Sequence, residues 1–322
     1  MKDLRAVYYS KQKALIYEIF QELGGEAFRK TLFLSFLGAR ICYAETPPLS
    51  LFAEERFRDP GKLKAFFLRL KSAGHGSVFA HSPFIWEFKS GDPDPELLAS
   101  LYKAWFDPES RKLQLNLRHF AEVMKDGDFE ALIGPGVMDE SFLEFEAWYL
   151  EGAELKLIFS GALKDLLPRF ENLRETDLLA TRRVTVIRVP ETEPFGWYAV
   201  IVEGFSRIFS HQFVRHTWLN FNQRSHRYTS VDQFVIPPSF EKAPEARELY
   251  REEIERGLSA YRALISSGVK KEDARFLTPQ GASTTVLATG PYFVWKDFLE
   301  KRAHPKAQWE IRLLAEALKS YL

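Results

Sequence analysis

Arg183-Val184-Thr185-Val186-Ile187-Arg188-Val189 and Tyr198-Ala199-Val200-Ile201-Val202-Glu203 are two β-branched runs parted by a turn-rich stretch, Pro190 to Gly196. Branched side chains suit a pleated surface, so the pair predicts a hairpin in the middle of the chain. Around it the apolar spacing is helical. Lys13 to Leu37 carries such a pattern with a Gly24-Gly25 break, and Lys62 to Ser72 is amphipathic and stopped by Gly74. Ser82 to Phe88 reads as a short aromatic strand, closed by Gly91-Asp92-Pro93-Asp94-Pro95. The stretch from about 96 to 180 reads as mainly helical, interrupted at Gly134-Pro135-Gly136. Gly204 to about Leu219 reads as helix, followed by a polar, aromatic-laced loop to Pro237-Pro238. Three helices, at about 244–266, 291–301 and 305–321, complete the chain. Strands gathered in the middle with helices around them predict an α+β fold: a central, mostly antiparallel sheet flanked by helices. No repeat of the solenoid kind is visible.

The composition bounds the function. With 322 residues, 46% hydrophobic and 15% aromatic, the chain can bury a sizeable core in one large or two ordinary domains. Lys+Arg and Asp+Glu balance at 44 each, which argues against general affinity for nucleic acid. A single cysteine, Cys42, cannot close an intrachain disulfide and fits a reducing, cytoplasmic setting. Charges are scattered through the first thirty residues, and no apolar stretch is long enough to span a membrane. His75-x5-His81 and His211-x4-His216 lack the i,i+4 spacing that puts two ligands on one helix face, so no metal site is expected. Cys42 reads as a small buried residue.

The densest chemical signal runs from His211 to Tyr228. On a helix, Gln212, Arg215 and His216 fall at i, i+3 and i+4 and share one face. An amide, a guanidinium and an imidazole there can hold an anion and read a planar ring. Ser225 and Arg227 add a hydroxyl and a second guanidinium. Arg207, Arg215, Arg224 and Arg227 with Trp218, Phe221 and Tyr228 also form a basic-aromatic stripe, as in a nucleic-acid binder. Taken alone, Arg275 and Arg302 read as ordinary salt-bridge partners on helix surfaces.

The segment R-H-T-W-L-N-F-N-Q-R-S-H-R-Y (Arg215 to Tyr228) resembles the signature R-H-R-x-x-S-x-N-E-x-S-x-R-Y of the flavin-dependent thymidylate synthases. Arg215, His216, Asn222, Ser225, Arg227 and Tyr228 match at the right spacing. Gly38 to Tyr43, Gly74 to His81, Ala274 to Pro279, and Phe298 to Arg302 with Ala307 to Arg312 resemble further family segments in family order. The resemblance covers roughly residues 30–88 and 199–318. It implies a core of 1–88 and 199–322 with a mainly helical insertion at 89–198. It also implies a homotetramer whose active sites are shared between subunits, and methylation of dUMP to dTMP with methylenetetrahydrofolate, FAD and NADPH. Arg302 matches the residue that stabilises the activated uracil. Gln212, Arg215, Gln223, Ser225, Arg227 and Arg275 match nucleotide-holding positions. His75, Ser77, His216, Thr217 and Asp297 match positions on the flavin and folate side.

The departures have a direction. Thr217 replaces the second signature Arg, Asn220 its first Ser, and Gln223 its Glu. Ala80 replaces the Glu of G-H-x-S/T-x-F-E-H. The family's T-x-N-x-R becomes Thr289-Gly290-Pro291-Tyr292-Phe293. The nucleotide set is thus nearly complete, whereas the flavin set is eroded. Asn116-Leu117-Arg118 echoes the missing N-x-R, against a plain helix-surface reading of the same residues. Two functions stay open: a working synthase, or a homologue that binds a pyrimidine nucleotide without flavin chemistry.

Overall fold

The computed structural model describes residues 4–134, 143–152, 154–167 and 178–322. Nine strands form two antiparallel sheets among these residues. The first has three strands, β1 (Pro83–Glu87), β2 (Trp105–Asp107) and β3 (Lys112–Asn116), in the order β1-β3-β2. The second has six: β4 (Glu144–Glu151), β5 (Glu154–Ala162), β6 (Arg183–Val189), β7 (Trp197–Ser206), β8 (Asn220–Gln223) and β9 (Ser283–Pro291), in the order β5-β4-β6-β7-β9-β8. The fold is α+β, and β6 and β7 form the expected hairpin, Val186 opposite Val200.

The six-stranded sheet is buried on both faces at its centre, which is why β6 and β7 are continuous apolar runs. Ile187, Ala199, Ile201 and Leu287 face a core built with the N-terminal helices, including Leu32–Tyr43 and Pro60–Ser72. Val184, Val186, Val200, Val202, Val286 and Ala288 face the helices Arg207–Phe213, Tyr292–Arg302 and Trp309–Leu318. A third, smaller cluster joins Val231, Phe234 and Ala282 to the helix Pro244–Ser266.

Two expectations are corrected. The 96–180 stretch, and with it the 89–198 insertion, is not mainly helical. Its helices are short (Pro95–Ser100, Leu117–Val123, Asp126–Ile133 and Leu163–Leu166), and it supplies β2 to β6. The strand signal lies in alternation: Phe145 and Ala147 point into the core and alternate with Glu144 and Glu146. Of the Gly134-Pro135-Gly136 break, Pro135 and Gly136 lie outside the described residues. The helix expected over 204–219 is also shorter, because β7 continues to Ser206.

The two sheets share one register. The first residue of β1 pairs with the last of β3, Pro83 with Asn116; the first of β7 pairs with the last of β9, Trp197 with Pro291. The first residue of β2 meets Gln114, two before the end of β3; the first of β8 meets Thr289, two before the end of β9. In both units a short helix lies between the first two strands, and a helix starts on the residue after the third. Phe120 and Trp295, each four residues past its junction, are both fully buried. The connection before the third strand differs most: 108–111 in the first unit, 224–282 in the second.

Candidate functional site

The signature segment is organised by the short helix Arg207–Phe213. Gly204 sits at a bulge in β7 with φ +72°, where a Cβ would come within 2.2 Å of the Thr181 carbonyl oxygen. A residue with a side chain would be both strained and blocked there. Ser206 then caps the helix, its Oγ accepting from the Phe209 amide at 3.1 Å. That hydroxyl donates to the buried Glu310 carboxylate, which also accepts from the Ser206 amide at 3.0 Å. The helix start is therefore anchored to the last helix of the chain.

At the other end the helix stops at Phe213, and Val214 and Arg215 form a turn. The expected common helix face is therefore broken, yet its residues gather, because Arg302 at the end of Tyr292–Arg302 closes onto the turn. Arg302 Nε donates to His216 Nε2 at 2.7 Å, and Nη2 donates to the Gln212 carbonyl at 3.3 Å. An accepting Nε2 requires a neutral imidazole. Burial, and next the Arg302 charge, push the His216 pKa down to about 4. Burial and the neighbouring Arg215 charge lower that of Arg302. Among the described residues no carboxylate pairs with Arg215 or Arg302. Asp297, near His216, is paired with Lys301 at 2.7 Å, and Thr217 is exposed.

A second cationic group forms at the start of the same helix. Arg207, His211, His226 and Arg275 line a cavity of about 340 Å³ whose described lining holds no carboxylate. Burial first, then the charges of Arg207, Arg224 and Arg275, push His226 down to about 4. Arg227 pairs with Glu272 at 2.8 Å, and the Glu272 carbonyl accepts from Arg275 Nε at 3.1 Å. The Ser225 amide donates to the Cys42 carbonyl at 3.0 Å, which fixes the signature loop against the helix Leu32–Tyr43. Gln223 lies apart from these groups on β8, its amide donating to Thr284 Oγ1 at 3.0 Å. The first group lies where the helix ends, and the second lines the cavity beside Arg207 and His211 on the same helix. Arg215, Arg227, Arg275 and Arg302 thus fall into two groups within one chain.

His75 and Ser77 are exposed on the turn that opens the helix Gly76–Phe79. The His75 ring packs 6.1 Å from Tyr43, which packs 5.1 Å from Tyr228 in the signature. The turn and the loop therefore share one surface. Burial raises the Cys42 thiol to about 11, as suits a small packed residue rather than a nucleophile. Sequence reasoning passed over Arg207 and His226 as pocket residues. The signal available was cation density: Arg207, Arg224 and Arg275, which prove to lie near His226.

An α+β protein with two groups of guanidinium and imidazole, in which only Arg227 among the described residues is paired with a carboxylate, suits an anionic ligand with a planar ring. Residues 196–322 match the family described as Thy1, thymidylate synthase complementing protein. Over 120 residues, covering 35% of this chain and 49% of the relative, it is 39% identical to the flavin-dependent thymidylate synthase of Thermococcus onnurineus. It is 39% identical over 118 residues to that of Geobacter sulfurreducens, covering 35% of this chain and 51% of the relative. Against that of Pyrococcus abyssi it is 30% identical over 160 residues, 45% of this chain and 63% of the relative. The chain spans about half the length of most of these relatives. Its C-terminal part is thus similar to the flavin-dependent thymidylate synthases. No described helix is long and apolar enough to cross a membrane, and no described group of three His, Cys, Asp or Glu could hold a metal.

Proposed function

We propose that the chain methylates dUMP to dTMP, with methylenetetrahydrofolate as carbon donor, FAD as hydride carrier and NADPH as reductant. The observation that carries this reading is Arg302 held on a neutral His216, beside Arg215, with no carboxylate among the described residues to neutralise either guanidinium. Uracil C5 becomes nucleophilic when the ring carries an anion, and a fixed guanidinium at the N3–O2 edge stabilises it. His216 orients Arg302 by accepting from Nε, which leaves guanidinium N–H groups for the ring. Gln212 and Arg215 sit beside it to hold the base and its phosphate.

Ser225, Arg227, Arg275 and, less directly, Gln223 serve the nucleotide from the second group. The separation within one chain fits a site completed by a neighbouring copy, as in the homotetramer that the resemblance implies. His75, Ser77, His216, Thr217 and Asp297 lie on the flavin and folate side. When bound, reduced flavin supplies hydride, which no side chain can. The single thiol agrees with a cytoplasmic setting.

The test is tritium release from 5-labelled dUMP with reduced FAD present, together with the visible spectrum of the protein after FAD addition. Release that requires both is expected. A protein that binds dUMP, takes up no flavin and releases no tritium would overturn the synthase reading.

A further inference from the structure

One end of the six-stranded sheet carries polar groups that the nucleotide chemistry does not use. Glu144, Arg188 and Tyr198 stand in one row across β4, β6 and β7, followed by Glu146, Val186 and Val200, then by Trp148, Val184 and Val202. Alternation along each strand puts these side chains on one face of the sheet. Val184, Val186, Val200 and Val202 are buried against the helices, whereas Glu144 and Arg188 are exposed at the sheet end. There the sheet and the chain just past the helix Trp309–Leu318 enclose a cavity of about 260 Å³, walled by Glu146, Val186, Arg188, Tyr198, Ser320 and Tyr321.

The charges in this cavity do not balance. Arg188 is already taken, because it pairs with Glu144, its neighbour in the row. Glu146 is half-buried, and no cation among the described residues forms an ion pair with it. Burial, and next the Glu146 charge, raise the Tyr321 hydroxyl, so carboxylate and ring are neighbours. Burial is also the main cause that raises Tyr198, and Glu146 acts on it in the same direction. Tyr321 is braced from behind by Trp148, their ring centres 4.1 Å apart and the planes inclined at 63°. Ser320 Oγ donates to the Ala317 carbonyl at 3.2 Å, which leaves its lone pairs to accept.

An unpaired carboxylate between aromatic rings calls for a cation. An anion would meet Glu146 with no free guanidinium to hold it. A hard metal ion takes about six or more oxygen ligands, and no described group of three His, Cys, Asp or Glu is present. The volume lies below the roughly 300–1,000 Å³ of sites for drug-sized ligands, which keeps the ligand small.

We propose that this cavity binds a small organic ammonium ion, its charge on Glu146 and its alkyl part against Val186 and the rings of Tyr198 and Tyr321. Aromatic rings attract such ions, and the carboxylate supplies the opposite charge. The signature strand β8 forms the far edge of the same sheet, so this site and the nucleotide site are separate and neither reading depends on the other.

The full-length protein is titrated by calorimetry with tetramethylammonium chloride, methylammonium chloride and N-acetyl-lysine amide, with potassium chloride as the inorganic control. Saturable binding of at least one of the two free organic ions, and none of potassium, is expected. Glu146→Gln is expected to weaken it about ten- to a hundred-fold, the loss of one charge-assisted contact. Tyr321→Leu should weaken it about two- to thirty-fold, the strength of one cation–ring contact. Tyr321→Phe keeps the ring and should bind like the parent, and Arg188→Gln should bind more tightly by freeing Glu144. An unchanged thermal midpoint in Glu146→Gln separates recognition from misfolding. No saturable binding to the parent, equal binding of potassium, or affinity unchanged in Glu146→Gln would each overturn the proposal. Binding of N-acetyl-lysine amide but of neither free ion would assign the cavity to a lysine side chain of a partner and overturn it as well.

Discussion

The unit β1–β3 with the helix Leu117–Val123 and the unit β7–β9 with the helix Tyr292–Arg302 follow one register, yet they hold opposite chemistry at equivalent points. The first ends its third strand on Asn116 and carries Arg118 two residues later; the second ends on Pro291 and carries Phe293. The second unit has Arg215 and Arg302 around a neutral His216, and the first has nothing comparable among its described residues. The lesson is that strand register and buried anchors define the unit. The residues at the strand-to-helix step are free to differ in chemistry from one unit to the other.

The most disruptive way to probe the comparison is to empty the anchor of each unit. Trp295→Ala and Phe120→Ala should each cost about 3–5 kcal/mol of stability. Denaturant melts followed by fluorescence and circular dichroism should show one shifted transition for both. Two separate transitions would mean that the units fold independently. Next in size, Arg302→Ala should lower tritium release about 10²–10³-fold with the fold intact, about the loss of one oxyanion donor. Unchanged turnover would remove its assigned role.

Arg227→Ala should mainly weaken dUMP binding, about ten- to a hundred-fold by the strength of a charged hydrogen bond. Its ion pair with Glu272 is half-exposed, so little stability should be lost with it. An equilibrium-dialysis titration with dUMP checks this.

The smallest effect per residue is shared by the two units. His81 and His119 in the N-terminal part, and His216 and His226 in the C-terminal part, are all pushed down to about 4, chiefly by burial. Their unfolded value is near 6.5, so between about pH 4 and 6.5 the unfolded chain binds protons that the folded one does not. Stability therefore rises with pH through that window, is complete above it, and is lost on acidification. The slope is up to about 1.36 kcal/mol per pH unit for each histidine. Urea midpoints that do not fall from pH 7 to pH 5 would contradict neutral burial at these four positions. His119→Gln and His226→Gln, compared, would show how the slope divides between the units.

The parts of the fold legible in sequence are those where both neighbours along the chain agree. Arg183–Val189 and Trp197–Ser206 are buried on two faces, so their apolar runs stand out. Glu144–Glu151 and Glu154–Ala162 are less buried and carry charge and aromatics together, so the helical expectation for 96–180 fails there. The site was half legible. Helical spacing linked Gln212, Arg215 and His216, but the contact that gathers them is the return of Arg302 from 86 positions away. The Arg207–His226–Arg275 cavity depends on how the signature loop folds back beside its own helix. Spacing along the chain carries no record of that. The matched registers leave little trace in the sequence for a similar reason: hydrogen-bond partners repeat while side chains do not, apart from Asn116 and Arg118 echoing a family pattern absent from the second unit.

Covalent linkage of two look-alike units has a consequence for how such a protein can change. Separate copies encoded by one gene must stay identical, so every residue is constrained by both settings in which it occurs. Tandem units escape that constraint, and each half is free to specialise. The connections already differ in this way, four residues at 108–111 in one unit and an excursion at 224–282 with a 23-residue helix in the other.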